Sequence, residues 1–366
     1  MSNRIALGML CYGRPVHTAL TIAFALHNKA NITDFFAFYG IHKQQKPPSA
    51  TLDGMLKELY SECKLQYFYM GEDKPNNVQG NVDNLMFTLN TLPGYSCFAK
   101  IDDDVVIGKG SDMDMANIIL AMAPEKVFML MGQAVPEHMR RHNPFCWEAR
   151  VNGYRVVQRA QKSCPMETYT FVSRECLKFL KDHGMSMSCE NARGTYGPFT
   201  RKIVNAGGKV CLVLSPAVLM QHIGLTTTIE VGNPARSWAP ARSWDPMDRI
   251  IEVPGFNFAA WEASHADATQ KEFAIETMEA LRPTMKADYV PHLDIMLKWL
   301  ARYDHSAEPI SAARSMRQSP SQEVTQPVQV VHRHRNTPGM VLRKLPDGRM
   351  VRSPGPVRRV VIRQNP

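Results

Sequence analysis

The sequence predicts an α/β fold: a mostly parallel sheet flanked by helices, followed by a helical extension and a basic tail. Three observations predict it. Short apolar runs alternate with helix-spaced segments through the first 225 residues, the order expected of a parallel sheet covered on both faces. The acidic triplet Asp102-Asp103-Asp104 follows the fourth of those runs, and such sheets bind ligands beyond the carboxyl ends of their strands. No apolar run approaches the ~18 residues of a membrane span. The densest, 210–220, is broken by Ser215 and Pro216.

Residues 4–10 (RIALGML) read as a buried strand, ended by the turn Cys11-Tyr12-Gly13-Arg14-Pro15. Helical spacing of apolar residues follows over 16–27. A second strand at 34–39 (DFFAFY) leads to a second helix at 52–63. A third strand at 66–70 (QYFYM) runs into a polar loop at 71–77 and a helix at 82–89. Residues 96–101 form a short strand that ends on the acids. The turn at 11–15, the loop at 71–77 and the acids thus share one edge of the sheet. Further strands are predicted at 127–131, 168–172, 210–214 and 218–224, the last containing His222. Helices are predicted at 174–181 and 199–205, the second stopped by Gly207-Gly208.

Beyond residue 226 the character changes. Ala-Arg-Ser-Trp at 235–238 recurs at 241–244, a local duplication within a loop. Amphipathic helices are predicted at 266–281 and 290–303, separated by Pro283. Pro, Ser, Gln and Arg then dominate, predicting a disordered linker. Near the end, strands at 340–345 and 349–352 flank the turn Pro346-Asp347-Gly348, with a third at 357–363. The predicted division is a core at 1–225, an extension at 226–305, a linker at 306–339 and a basic β-hairpin-like tail at 340–366.

Charge is unevenly placed. Of 43 Lys+Arg and 34 Asp+Glu, the segment 306–366 holds 11 basic residues against Glu308, Glu323 and Asp347, or +8. The preceding 305 residues hold the remaining 32 and 31, or +1. A basic arm on a nearly neutral body suits a polyanion such as nucleic acid, or serves only to solubilise. Eight cysteines lie scattered without a CxxC pair, which excludes a zinc ribbon or knuckle. With no signal peptide visible, reduced thiols and a cytoplasmic location are expected, host cytoplasm if the chain is virus-encoded.

The chemistry concentrates in Ile101-Asp102-Asp103-Asp104-Val105-Val106-Ile107. Three consecutive carboxylates repel one another unless a cation or hydrogen-bond donors stabilise them. Apolar runs on both sides argue against a solvated acidic face. In an extended D-x-D segment two carboxylates point to the same side. They suit a hard divalent cation, Mn2+ or Mg2+, whose other ligands are waters and substrate phosphates. A turn or helix cap is the alternative use of these aspartates.

The order of motifs resembles that of a GT-A-fold glycosyltransferase, which has a Rossmann-like sheet and uses a nucleotide-diphosphate sugar. Cys11-Tyr12-Gly13-Arg14-Pro15 resembles the T-Y-N-R-P turn of the family-2 enzymes, and Lys100-Ile101-Asp102-Asp103-Asp104-Val105 the K-x-D-D-D-V form of the family-31 motif. Tyr169-Thr170-Phe171-Val172-Ser173-Arg174 resembles the G-Y-V-x-S-R step, and Ala206-Gly207-Gly208-Lys209-Val210 through His222 the A-G-x-x-V … H ending of the core. The resemblance covers residues 4–225. It implies that Asp104 and His222 bind the metal. Asp102 would face the ribose or a metal-bound water and Asp103 would assist. The metal would neutralise charge on the departing nucleoside diphosphate. Tyr12 would stack on the base and Arg14 would meet phosphate, with Lys74 and Asn77 as further nucleotide contacts.

The chain departs from the pattern at the catalytic base. Counting back from Ala206-Gly207 reaches Thr195-Tyr196, where relatives of the inverting class carry an acid. The nearest acid is Glu190, in a Gly-containing loop, and it is the expected base of an inverting reaction. Glu148 and Glu167 are the alternatives, and a retaining reaction is expected if no acid is positioned. Trp147, Trp238 and Trp244 are acceptor-side candidates because aromatic rings stack on sugars and bases; core packing is their bland use. The resulting expectation is a metal-dependent glycosyltransferase acting on a hydroxyl acceptor, with a hydroxylated base in phage or viral DNA as one option. A nucleotidyltransferase is the alternative enzyme class, although the turn after the first strand carries a single glycine. A non-catalytic nucleic-acid-binding protein on the same scaffold is the third reading.

Overall fold

Strand β1 (Arg4–Cys11) is buried from Ile5 onward and is an interior strand of the sheet. The structure, a computed structural model, describes residues 4–11, 13–41, 49–72, 89–92, 94–132, 145–159, 169–185, 197–214, 219–223, 253–257, 259–261, 270–304, 340–344 and 350–354. The chain divides into two units, Met1–Ser319 and Pro320–Pro366.

In the first unit, β2 (Thr33–Ile41), β3 (Gln66–Glu72) and β4 (Tyr95–Asp102) join β1 by parallel pairing, β2 and β4 on either side of β1 and β3 outside β2. The short β5 (Val105–Ile107) follows β4 directly. The sheet continues through β6 (Val127–Met131), β7 (Phe145–Val151), β8 (Tyr154–Arg159), β9 (Tyr169–Ser173) and β10 (Lys209–Leu214). Its nine strands lie in the order β3-β2-β1-β4-β9-β6-β10-β8-β7. β9 is inserted antiparallel between β4 and β6, and β8 and β7 extend the far edge by antiparallel pairing. β8 and β9 therefore oppose the other seven strands. The predicted α/β class, a Rossmann-like GT-A-type sheet flanked by helices, is present, with a mixed rather than wholly parallel ladder.

Side-chain alternation assigns the two faces. Ile5, Leu7 and Met9 of β1, Phe35 and Ala37 of β2, and Cys97, Ala99 and Ile101 of β4 point to one core. Ala6, Leu10, Phe36, Phe38 and Phe98 point to the other. Helices α1 (Pro15–Asn28), α2 (Ala50–Cys63) and α3 (Ser111–Ala121) cover the first face. α4 (Arg174–Asp182) and α5 (Gly197–Asn205) contribute Leu180 and Ile203 to the second. Ser49 and Ser173 cap α2 and α4, their hydroxyls accepting from the N–H of Leu52 and Cys176. β5 pairs antiparallel with the three-residue β11 (Met220–His222) as a small separate ribbon.

Every residue of α1 except His27 is buried. A helix buried all round needs cover on its outer side too. That cover is α6 (Gln270–Leu281) and α7 (Val290–Arg302), which pack over α1 and α2. Phe256, Trp261, Met278 and Leu293 join the same core as α1. α7 sits close on α2: a Cβ at Gly54 would lie 2.2 Å from the Trp299 ring. The Trp299 indole N–H donates to Glu58, 2.8 Å away. Among the described residues, no helix is long and apolar enough to cross a membrane.

The structure corrects three expectations. The D-x-D segment is not extended throughout: Asp102 ends β4, and Asp103 and Asp104 form the turn between β4 and β5. α3 lies where the sequence reading placed no element. The aromatic stretch at 145–148 is the first strand of a hairpin, β7–β8, turning on Asn152 and Gly153 at positive φ of 50° and 82°. The predicted linker, the repeat at 235–244, residues 82–88 of the predicted helix and the strand at 357–363 lie outside the described residues. The second unit contains an antiparallel hairpin, β12 (Met340–Lys344) and β13 (Met350–Pro354), with Leu342 opposite Arg352.

Candidate functional site

β4 carries the acids to the carboxyl edge of the sheet, and the first turn of α1 lies against them. Arg14 stands at the N-cap of α1 with Pro15 at its first position, a placement that suits proline because no intrahelical donor is lost. From there the Arg14 guanidinium bridges two carboxylates. It donates to Asp103 and, at 2.8 Å, to Oδ2 of Asp104. Thr18, one turn along, places its hydroxyl 3.4 Å from Asp103. The positive end of the helix dipole further favours negative charge here.

His222 arrives from the other side. Antiparallel pairing sets it opposite Val105, and the N–H of Ile223 donates to the Asp104 carbonyl at 2.8 Å. Its Nε2 stands 3.4 Å from Oδ2 of Asp104. Asp103 and Asp104 are both buried, at 1% and 4% exposure. Burial alone would raise the Asp104 carboxyl. The charges of Arg14, His222 and His17, with the Arg14 hydrogen bond, outweigh it and hold the group well below the usual carboxylate range. Arg14 is raised in turn, because the two aspartates outweigh its burial. Asp102 differs: it is half-exposed and ion-paired with the buried Lys100. Three carboxylates against Lys100 and Arg14 leave one net negative charge.

One atom bears on a cation. Oδ1 of Asp104 is buried and accepts no hydrogen bond from any described residue. A buried carboxylate oxygen is costly unless a further donor or a cation meets it. A carboxylate oxygen beside an imidazole nitrogen suits Mn2+ or Mg2+. Among the described residues no group of three His, Cys, Asp or Glu converges as a metal cage. An ion held by Asp104 and His222 would need its remaining ligands from outside the described residues.

The sequence-predicted residues separate into three groups. Arg14, Asp103, Asp104 and His222 are brought together, with Asp102 beside them. Trp147 is not part of the cluster. It lies on edge strand β7, five strand positions from β4, roughly 24 Å at about 4.8 Å per strand, with the Lys209 ammonium 4.9 Å from its ring centroid. Glu148, on the same strand, is clamped by Arg155 through two hydrogen bonds at 2.6 and 2.5 Å. Those hydrogen bonds lower its carboxyl below the usual range. Tyr12, Lys74, Asn77, Glu167, Glu190, Trp238 and Trp244 lie outside the described residues. The sequence reading missed His17 and Thr18. His17 and Thr18 had a signal, since they follow Arg14 by one helical turn and share its face.

No protein-family profile and no curated protein matches the chain. Solved structures do match. A197 from STIV is 14% identical with a TM-score of 0.32, over 58% of this chain and 82% of its own. The 4-diphosphocytidyl-2C-methyl-D-erythritol synthase of Anaerococcus prevotii is 9% identical with a TM-score of 0.33, over 58% and 87%. The UTP-bound UGPase of Acinetobacter baumannii is 9% identical with a TM-score of 0.33, over 58% and 86%. Likenesses this distant concern general chain architecture and carry no weight for function.

Proposed function

We propose that the chain is a metal-dependent glycosyltransferase that moves a sugar from a nucleoside-diphosphate sugar to a hydroxyl acceptor. The observation that carries this reading is the buried Asp103–Asp104 turn, with Arg14 and His222 upon it and Oδ1 of Asp104 without a hydrogen bond from the described residues. Asp104 and His222 would hold a divalent cation against the donor diphosphate. When bound, that ion supplies charge neutralisation on the leaving nucleoside diphosphate. Arg14 keeps Asp103 and Asp104 ionised and stands within reach of the same phosphates. Asp102, the most exposed of the triplet, faces the donor, and Lys100 holds its orientation. Tyr12, Lys74 and Asn77 are carried as nucleotide contacts, and Trp238 and Trp244 as acceptor contacts, on the sequence alone. In the inverting form the acceptor oxygen attacks the anomeric carbon, the carbon–phosphate-oxygen bond breaks, and Glu190 takes the hydroxyl proton. The basic tail would bind a nucleic-acid acceptor, a hydroxylated base in DNA, through its phosphates.

Incubation of the full chain with UDP-, GDP-, CDP- and TDP-sugars, Mn2+ and hydroxymethylated DNA tests this. Metal-dependent release of one nucleoside diphosphate, lost in Asp104→Asn, supports the reading. Pyrophosphate formation from a nucleoside triphosphate and a sugar phosphate would instead assign a nucleotidyltransferase. Nucleic-acid binding with no turnover of either kind would assign a binding protein.

A further inference from the structure

β11 has three residues and, among the described residues, pairs only with the equally short β5. A two-stranded ribbon of that size has no stability of its own, yet it carries His222. Two backbone hydrogen bonds close its ends. Gly108 donates to the Leu219 carbonyl at 2.9 Å, and Ile223 to the Asp104 carbonyl at 2.8 Å. A third bond comes from far along the chain. The indole N–H of the fully buried Trp261 donates to the Ile223 carbonyl at 2.8 Å. The peptide groups on both sides of Ile223, the residue after His222, are therefore gripped.

Trp261 is itself held from several sides. The ring of His17, on the first turn of α1, meets it edge-on at 5.2 Å and 87°. Phe273 of α6 lies 5.5 Å away and Phe256 6.1 Å away, centroid to centroid. Gln270, the first residue of α6, places its amide nitrogen 3.5 Å from Nε2 of His17. One continuous packing path thus runs from α6 through Trp261 to His222, and through His17 to the turn of α1 that bears Arg14.

We propose that Trp261 is a positioning residue that sets His222 against Asp104, so that the chain beyond residue 253 helps build the cation and nucleotide edge as well as any acceptor side. This rests on the reading of that edge given above. Loss of the indole N–H leaves the Ile223 carbonyl buried without its donor and frees the end of β11. The His222 ring then loses its fixed approach to the Asp104 carboxylate.

The test compares Trp261→Phe, which keeps an aromatic ring but removes the donor, with Phe256→Leu, which loosens the same cluster and leaves the donor in place. Three readouts are taken on the full chain: Mn2+-dependent binding of UDP, GDP and CDP by calorimetry, amide exchange at Ile223, and the melting temperature. Trp261→Phe should weaken metal–nucleotide affinity about tenfold, the lower end of what outer-shell partners of a metal ligand contribute, and speed exchange at Ile223. Phe256→Leu should lower the melting temperature with affinity within twofold of wild type. Affinity within twofold in Trp261→Phe overturns the inference, whatever its melting temperature. If Trp261→Phe does not fold, the wild-type indole N–H decides by 15N NMR. It should be protected from exchange and shift when Mg2+ and the bound nucleotide are added; an unprotected or unmoved signal overturns the inference. If the wild type binds no nucleotide with metal, the proposed function fails separately. Ile223 exchange then decides alone: faster exchange in Trp261→Phe supports the clamp and unchanged exchange overturns it.

Discussion

Nε2 of His222 stands 3.4 Å from Oδ2 of Asp104, although His222 lies on β11 and Asp104 in the turn that precedes β5, its pairing strand, in a distant part of the chain. The contact exists because β4 does not continue straight. It turns at Asp103 and Asp104, and β5 then returns alongside β11. The same turn presents both carboxylates to Arg14.

Acid should expose this arrangement. The folded Asp104 carboxyl sits well below its unfolded value of about 3.9. Around that pH the unfolded chain therefore binds more protons than the folded one. The stabilisation is present above the unfolded value and lost as pH falls towards the folded one. Asp104→Asn should flatten the dependence of the denaturant midpoint on pH from about pH 5 downward. At neutral pH it should cost up to roughly 3–5 kcal/mol, the penalty for removing one partner of a buried ion pair, and less if Asp103 alone keeps Arg14 compensated. An acid limb of unchanged slope in the variant would rule out the assignment.

Much of this edge was legible in the sequence, and the reasons differ by residue. Asp102 to Asp104 stood out because three carboxylates between apolar runs repel one another unless a cation or hydrogen-bond donors meet them, and the turn, their bland alternative, is the conformation that Asp103 and Asp104 adopt. Arg14 stood out from its turn before a proline. The convergence of His222 on Asp104 was reached through a resemblance, since pairing between β5 and β11 has no local signature. The insertion of β9 between β4 and β6 was likewise hidden, because periodicity reports a strand and not its neighbours. Other misses had signals. Asn152-Gly153 between alternating residues is a strong hairpin mark, and Asp112 and Asp114 mark the first turn of α3. The unbroken burial of α1 implied an outer layer, which the C-terminal helices supply.

Gly54 permits that outer layer. Alanine there should gain about 1 kcal/mol from helix propensity alone. Its methyl would instead meet the Trp299 ring at 2.2 Å, and the ring is tethered to Glu58. Gly54→Ala should therefore destabilise by about 1–3 kcal/mol, the usual penalty of overpacking. Displacement of Trp299 into water should also red-shift its emission, read against Trp299→Phe as a blank. A gain in stability with unchanged fluorescence would show that α7 does not rest on α2 in this way.

Gly153 offers a cleaner measurement, because a Cβ there meets nothing within 4 Å. Its φ of +82° is the whole constraint. Gly153→Ala should cost about 1–2 kcal/mol, the strain of a left-handed residue with a side chain. Urea midpoints give the value. Gly184 is an internal comparison, being equally open at a φ of +62°, and alanine there should cost a similar amount.

The tail can be separated from the chemistry. It carries 11 of the 43 basic residues and a net charge of +8, whereas the body carries +1. If phosphate contacts hold a nucleic acid to this protein, they come from residues 306–366. A chain ending at residue 305 should melt within a few degrees of the full chain and keep its metal-dependent nucleotide binding, because Asp104, His222, Trp261 and α7 all precede the cut. It should lose DNA affinity by at least about 100-fold at low salt. The full chain should show log K falling with log salt at a slope of about −0.9 per phosphate neutralised. A slope between roughly −5 and −10 would mean that most of the tail's cations touch the backbone. Equal affinity and slope in both chains would place DNA binding on the nearly neutral body instead and leave the tail a solubilising arm.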